Sequence, residues 1–262
     1  MTLVIPYYGI PGGEIRPLYF YKAMGKAIKD GRIISFGACN FSCPYCKRDG
    51  QFRDKDGGII SAIDVSMEKL FIVCDDAVKK KEIVRLSGGD PVMFPKESLT
   101  IATYMRNTYN QKISIAHNGS SLEFIRRMAP FLESAAIDLK ALPSRMGEVA
   151  GISLEQGERM YKRSLQVQDF LSDAGVLVDI RTPVFGDTAL DDMLQLAEDI
   201  VEGGKSENEF WTWRMYSPVR ECDWLPPRKD NVLWMIHEVK SLYPDLKIGL
   251  RAKWDPNGFQ YF

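Results

Sequence analysis

The strongest constraint on this chain is an alternation. Short apolar runs with strand character recur at residues 32–37, 83–87, 113–117, 135–140, 176–184, 210–216 and 246–250, and stretches with helical spacing lie between them. The helical stretches carry their own start and stop signals. Ser66 is placed to cap a helix running to about Lys80, and residues 96–107 form a second. Ser120 with Glu123 makes a capping-box pattern for a third, and Ser153 with Gln156 for a long fourth that closes at Gly175. Residues 188–201 and 229–242 are the fifth and sixth. Strands that alternate with helices of this length require right-handed crossovers and a parallel sheet. The expected fold is therefore α/β, a single partial (β/α)6 barrel of TIM type over residues 1–262. It divides into an N-terminal extension (1–31), a core (32–216) and a C-terminal segment (217–262). In such barrels the chemistry sits past the C-terminal ends of the strands.

Bulk properties narrow the function. The chain has 262 residues, with 34 basic against 35 acidic side chains and a net charge of −1. That balance gives no electrostatic footprint for nucleic acid or an anionic membrane. No stretch approaches 18 apolar residues, and the N-terminus lacks the charged and apolar regions of a signal peptide, so a cytoplasmic location is expected. Three of the five cysteines, Cys39, Cys43 and Cys46, fall within one short loop after the first expected strand. In a reducing compartment such a cluster points to metal or redox chemistry rather than disulfides.

The spacing is Cys39-x3-Cys43-x2-Cys46. Thiolates suit iron–sulfur clusters and zinc alike. Electron-transfer [4Fe–4S] clusters take four cysteines, so three leave one iron open, as a catalytic cluster requires. The alternative is a zinc site completed by another Cys or by His117 or His237, neither of which lies near the loop in sequence.

The Cys-x3-Cys-x2-Cys loop, with Tyr45 before its last cysteine, resembles the signature of the radical S-adenosylmethionine (SAM) superfamily. The match extends along the chain and is nearest to the pyruvate formate-lyase activating enzyme-like group. Residues 86–91, Leu-Ser-Gly-Gly-Asp-Pro, resemble that family's Gly-Gly-Glu motif, with Asp90 in the acidic position; Gly88 and Gly89 also suit a close ligand approach to the backbone. His117-Asn118-Gly119 resembles a Thr-Asn-Gly stretch. Ala116 stands where that group has an Asp that helps hold a monovalent cation, and its methyl offers no ligand. Asp138 and Lys140 resemble an Asp-x-Lys pair, and residues 147–153 a Gly-Val-Ser turn before a helix. Tyr216 stands where that group has a His. The resemblance implies a [4Fe–4S] cluster on Cys39, Cys43 and Cys46. It also implies SAM held by Tyr45, Gly88, Gly89, Asp90, Asn118, Asp138, Lys140 and Arg181, and cleavage of SAM to a 5′-deoxyadenosyl radical. A flavodoxin- or ferredoxin-type electron donor is implied as a partner.

Strand alternation places other side chains in the barrel interior. Asp138 and Lys140 point inward, as do Asp179 and Arg181, where an internal ion pair and a carboxylate contact are both open. Arg85, Arg214 and Tyr216 are candidate substrate residues, with Arg251 and Lys253 either joining them or lying as solvated charges at the rim. Cys74 reads as a core residue, and Cys222 as a loop thiol on the catalytic side. Three functions stand open: modification of a small molecule or peptide, activation of a glycyl-radical enzyme, or a metal-bound interaction module without catalysis.

Overall fold

The computed structural model describes residues 4–8, 14–46, 52–53, 59–60, 63–203, 207–219, 222–255 and 258–262. In chain order the elements are β1 (Val4–Tyr8), β2 (Glu14–Leu18), α1 (Phe20–Ala23), β3 (Lys29–Phe36), β4 (Phe52–Arg53), β5 (Ile59–Ile60) and β6 (Ile63–Ser66). There follow α2 (Met67–Lys79), β7 (Ile83–Gly88), α3 (Pro95–Tyr109), β8 (Ile113–His117), α4 (Leu122–Met128), β9 (Leu132–Asp138), α5 (Pro143–Ala150) and α6 (Leu154–Asp173). The chain closes with β10 (Leu177–Val184), α7 (Leu190–Gly203), β11 (Glu209–Met215), α8 (Lys229–Leu242), β12 (Ile248–Arg251) and β13 (Gln260–Tyr261).

Strands β3, β7, β8, β9, β10, β11 and β12 pair in that order, each parallel to the next. The sheet curls into a partial barrel, as the alternation predicts. Antiparallel strands extend it at both edges: β1 and β2 on β3, β6 on β1, and β13 on β12. The parallel run thus holds seven strands among the described residues, matching the seven expected runs, with β12 continuing the sheet after α8. Parts of both terminal segments, which no motif marks, belong to the sheet.

The two faces of the sheet differ chemically, and that difference creates the site. Ile34, Leu86, Ile115, Ile137, Ile180, Trp211, Trp213 and Leu250 face the helices and are fully buried with Leu70, Ile101, Met105, Leu171 and Ile236. Each such side chain contributes about 1.5–3 kcal/mol of hydrophobic stabilisation. The opposite face is polar: Arg85, Ser114, Ser134, Asp179 and Thr212 are all buried there. Its lower end is stoppered by Leu18, Phe20, Tyr21, Leu177, Phe210 and Phe259, contributed by α1, the strand starts and the C-terminus. Tyr21 donates to Ser134 Oγ (3.0 Å), which donates to Ser114 Oγ (2.9 Å), so the stopper ends in a satisfied polar chain. Tyr261 donates to the Tyr19 carbonyl (2.6 Å) and ties the chain ends together there.

Local signals hold with two differences. Ser66 and Ser153 cap α2 and α6, the latter with the full capping box, and Gly175 follows α6 at φ +71°. Helix α4 is capped by Ser121, one residue after the expected Ser120, whose backbone N–H instead donates to the Asn118 side chain. Residues 147–153 lead into the long helix α6 as expected, but an additional helix, α5, takes up 147–150 and ends at Gly151.

Glu209, at the start of β11, is 5% exposed, and its Oε1 has no hydrogen-bond partner. Burial, aided by nearby Asp169 and Asp173, pushes its carboxyl up to about 7. The unfolded chain releases this proton near pH 4.3 while the folded chain keeps it, so folding stability falls as pH rises from about 4.3 to about 7, by up to about 3 kcal/mol. Glu209→Gln removes that loss. In urea denaturation the variant should gain on the parent protein at pH 8 relative to pH 5, and an equal difference at both pH values would contradict this account.

Candidate cluster and cofactor site

The pairing of β3 with β7 runs to Phe36 opposite Gly88 and then continues as a seam between their loops. Gly89 N–H donates to the Phe36 carbonyl and Asp90 N–H to the Ala38 carbonyl, both at 2.7 Å. The cysteine loop therefore lies directly on the Gly-Gly turn. A Cβ on Gly89 would stand 2.0 Å from the Ala38 oxygen, so no other residue fits without moving that loop. What the Cβ faces of these glycines admit is the chain's own backbone. From the other side, Ser42 N–H donates to the Ala150 carbonyl (3.0 Å), and Gly151, at φ +65°, leaves room for the Ser42 carbonyl.

Asp90 is 2% exposed and its carboxylate meets three partners. Oδ1 accepts from Val92 N–H (2.9 Å) and lies 2.8 Å from His117 Nδ1, and Oδ2 accepts from Asn118 N–H (2.7 Å). Ser121 N–H donates to His117 Nε2 (3.2 Å), so the proton of the neutral ring sits on Nδ1 and points at Asp90. The two hydrogen bonds thus lock one tautomer. Asp90 fastens the loop after β7 to the loop after β8. It acts by holding His117 and Asn118. Asn118, 4% exposed, donates to Asn40 Oδ1 (2.7 Å) and approaches Cys39 Sγ (3.8 Å).

Cys39, Cys43 and Cys46 are free thiols. Cys39 Sγ accepts from Phe41 N–H (3.4 Å), and Cys46 N–H donates to the Cys43 carbonyl (3.0 Å). Burial pushes the Cys39 thiol up to about 11 and raises that of Cys43, the Lys140 ammonium opposing it there. Among the described residues no three Cys, His, Asp or Glu side chains are grouped as a single metal ion requires. Three soft thiolates on one loop fit a multi-iron cluster, whose ligands stand further apart than those of one ion.

At the ends of β9 and β10 the inward charges pair. Lys140 Nζ donates to Asp138 Oδ2 (2.6 Å) and to Tyr45 Oη (3.3 Å). Burial works against this ammonium, yet Asp138, with Tyr45 and Cys43, holds its pKa well above the ordinary lysine value. Burial likewise opposes the Asp138 carboxylate, and Lys140 outweighs it and lowers the pKa. Arg181 donates to Asp179 Oδ2 (2.7 Å), and Thr212 donates to Asp179 Oδ1, so the internal ion pair forms. Tyr45 sits in an aromatic wall, stacked on Trp224 (6.0 Å) and edge-on to Phe185 (5.2 Å) and Tyr216 (6.5 Å). The Tyr216 hydroxyl is tied to Val219 N–H (3.2 Å) and the Cys222 carbonyl (3.4 Å), so it braces the following loop. Arg85 is buried in the interior, Arg214 and Arg251 turn to the same inner face but remain exposed, and Lys253 is exposed past β12. Cys74 is fully buried in the core.

The motif residues thus assemble on one end of the barrel. Sequence reasoning missed Asn40 and Phe185 altogether, and no local signal marks either. It found Gly151 only as part of a turn.

The Radical SAM superfamily model matches residues 33–200, more than half of the chain, and the protein belongs to that superfamily. A probable GTP 3′,8-cyclase of Methanothermobacter thermautotrophicus is 36% identical over 99 residues, covering 38% of this chain and 30% of that protein. The GTP 3′,8-cyclase of Campylobacter fetus is 26% identical over 113 residues, 43% of this chain and 33% of its own length. The match therefore spans about a third of these curated relatives. Among solved structures, Streptococcus suis SuiB bound to the precursor peptide SuiA superposes with a TM-score of 0.62 at 12% identity, over 84% of this chain and 48% of that one. A domain of the pyruvate-formate lyase-activating enzyme from Bacteroides vulgatus gives 0.50 at 15% identity, over 64% and 98%. These likenesses show the fold.

Asp90→Asn tests the fastening. An amide nitrogen would face at least one N–H donor in a buried setting, at a cost of about 1–3 kcal/mol. The variant should unfold at lower urea and retain less iron after reconstitution than the parent protein. Full iron retention together with unchanged stability would show that the carboxylate is dispensable.

Proposed function

We propose that this chain reductively cleaves SAM at a [4Fe–4S] cluster held by Cys39, Cys43 and Cys46, and turns the radical on a small molecule held in the barrel. The observation that carries this is the seating of the three-thiol loop on Gly88, Gly89 and Asn118, beside Lys140 and Tyr45, in a chain of the radical SAM superfamily. A [4Fe–4S] cluster held by Cys39, Cys43 and Cys46 would supply the electron for reductive cleavage of SAM, and the hydrogen-abstraction chemistry would belong to the cofactor.

The chain's own residues position and shield. Gly88 and Gly89 let the cysteine loop close down on the β7 turn. Asp90 holds His117 in one tautomer and presents the Asn118 amide to the loop. Asp138 keeps Lys140 charged and aimed at the Tyr45 hydroxyl beside Cys43. Arg181, steadied by Asp179, offers its guanidinium to a carboxylate such as that of SAM. Tyr45, Phe185, Tyr216 and Trp224 exclude water from that side, which a reactive radical requires.

A small-molecule substrate is favoured over activation of a glycyl-radical protein because the barrel interior is lined by buried polar and charged groups, Arg85, Asp179 and Thr212 among them. A protein loop threading this space would leave such groups unmatched. The curated relatives are named for a reaction of GTP, which supports a small molecule of nucleotide kind. A flavodoxin- or ferredoxin-type donor would supply the electron.

Reconstituted anaerobically with iron and sulfide, the protein should be brown and hold about four irons per chain. With SAM and dithionite it should yield 5′-deoxyadenosine and methionine, and Cys43→Ala should abolish both colour and products. A full, reducible cluster that binds SAM yet gives no 5′-deoxyadenosine, with or without nucleotides present, would refute the proposal. A colourless zinc-loaded protein would favour the interaction module.

A further inference from the structure

Once Lys140 is matched to Asp138 and Arg181 to Asp179, the inner face of the barrel still holds more guanidinium than carboxylate. Arg85 lies in mid-β7 between Val84 and Leu86, whose side chains join the helix-facing core, so its own enters the interior. It is 3% exposed, and neither terminal nitrogen has a hydrogen-bond partner. A buried guanidinium left unmatched is costly, and proteins keep one where a ligand completes it. On the facing wall the register sets Arg214 of β11 directly beside Arg251 of β12. The alternation with Trp213 and Leu250, both in the helix-facing core, turns the two guanidiniums to the same inner face. Like charges side by side on one face of a sheet destabilise it. Burial, with Arg181 and Arg214 as neighbours, depresses the Arg85 guanidinium. The three cations therefore bear on one volume.

We infer that this volume is an anion subsite in which Arg85, Arg214 and Arg251 hold a phosphate or oligophosphate group of the substrate. The inference rests on the proposed function for the word substrate, and on this geometry alone for the subsite. Guanidiniums arriving from opposite walls suit the several charges and tetrahedral oxygens of a phosphate chain. A single carboxylate offers one charge and one plane, and Arg181 already serves that need. Seated here, the phosphate end lies in the barrel interior, and the remainder of the substrate extends toward the cysteine loop at the C-terminal ends of the strands.

The test uses the full, anaerobically reconstituted chain, with inorganic phosphate, pyrophosphate, tripolyphosphate and succinate as probes at constant ionic strength. Calorimetry should show saturable binding that strengthens from phosphate to tripolyphosphate, with succinate at least about tenfold weaker. Arg251→Gln, at an exposed position, should weaken tripolyphosphate binding by at least about tenfold. Arg85→Met should do the same and raise the melting temperature of the ligand-free protein, because it removes an unmatched buried charge. A merely structural Arg85 would give the opposite sign, a lower melting temperature with binding unchanged, and that result overturns the subsite. So does an absence of saturable binding at millimolar tripolyphosphate, or equal binding of succinate. SAM cleavage is read separately on the parent protein: cleavage without oligophosphate binding overturns only the subsite, and binding without cleavage overturns only the enzymatic assignment.

Discussion

Two backbone hydrogen bonds beyond the ends of β3 and β7 set the geometry on which the rest of this molecule depends. Parallel pairing ordinarily stops where the strands stop. Here Gly89 and Asp90 carry it on to Phe36 and Ala38, and the loop bearing Cys39, Cys43 and Cys46 is laid along the turn that follows β7. Only glycine permits the approach, since a Cβ at either Gly88 or Gly89 would fall within 2.2 Å of that backbone. A residue change at the seam is therefore felt at the thiols.

The seam also explains the division of labour among the polar groups. Asp90 is spent on fastening, and so is His117, because a loop without regular structure must satisfy its buried N–H groups with side chains. Lys140 and Arg181 are each paired with a carboxylate two residues away on the same chain segment, at the same face. Arg85, Arg214 and Arg251 lack that arrangement. Arg85 is buried with neither terminal nitrogen partnered, and Arg214 and Arg251 stand exposed side by side, which sets them apart from the structural pairs around them.

Much of this was legible in the sequence. The cysteine spacing, the strand alternation and the inward placement of Asp138, Lys140, Asp179 and Arg181 follow from period-2 geometry and from motif resemblance. The caps of α2 and α6 were readable because Ser66 and Ser153 act within three residues of themselves. Ser121 was not, because the choice between it and Ser120 turns on Asn118, whose side chain claims the Ser120 N–H. Helix α5 was hidden inside a glycine-containing stretch whose meaning depends on the Ser42 carbonyl, more than 100 residues earlier. The partners of Asp90, His117 and Asn118, come from the next strand.

By itself, then, the sequence determined the fold class, the order of strands and helices, the clustering of three thiols on one loop and which strand residues point inward, since all of these depend on neighbours along the chain. Only the tertiary structure decided what each inward group meets. It showed Asp90 buried in a bracket, Arg181 answered by Asp179, both chain ends stoppering the lower barrel, and Arg214 beside Arg251 across a register that no single strand encodes. The reason is physical. Alternation and capping are local properties, whereas charge matching and close backbone approach are set by which strands lie side by side once the sheet has closed.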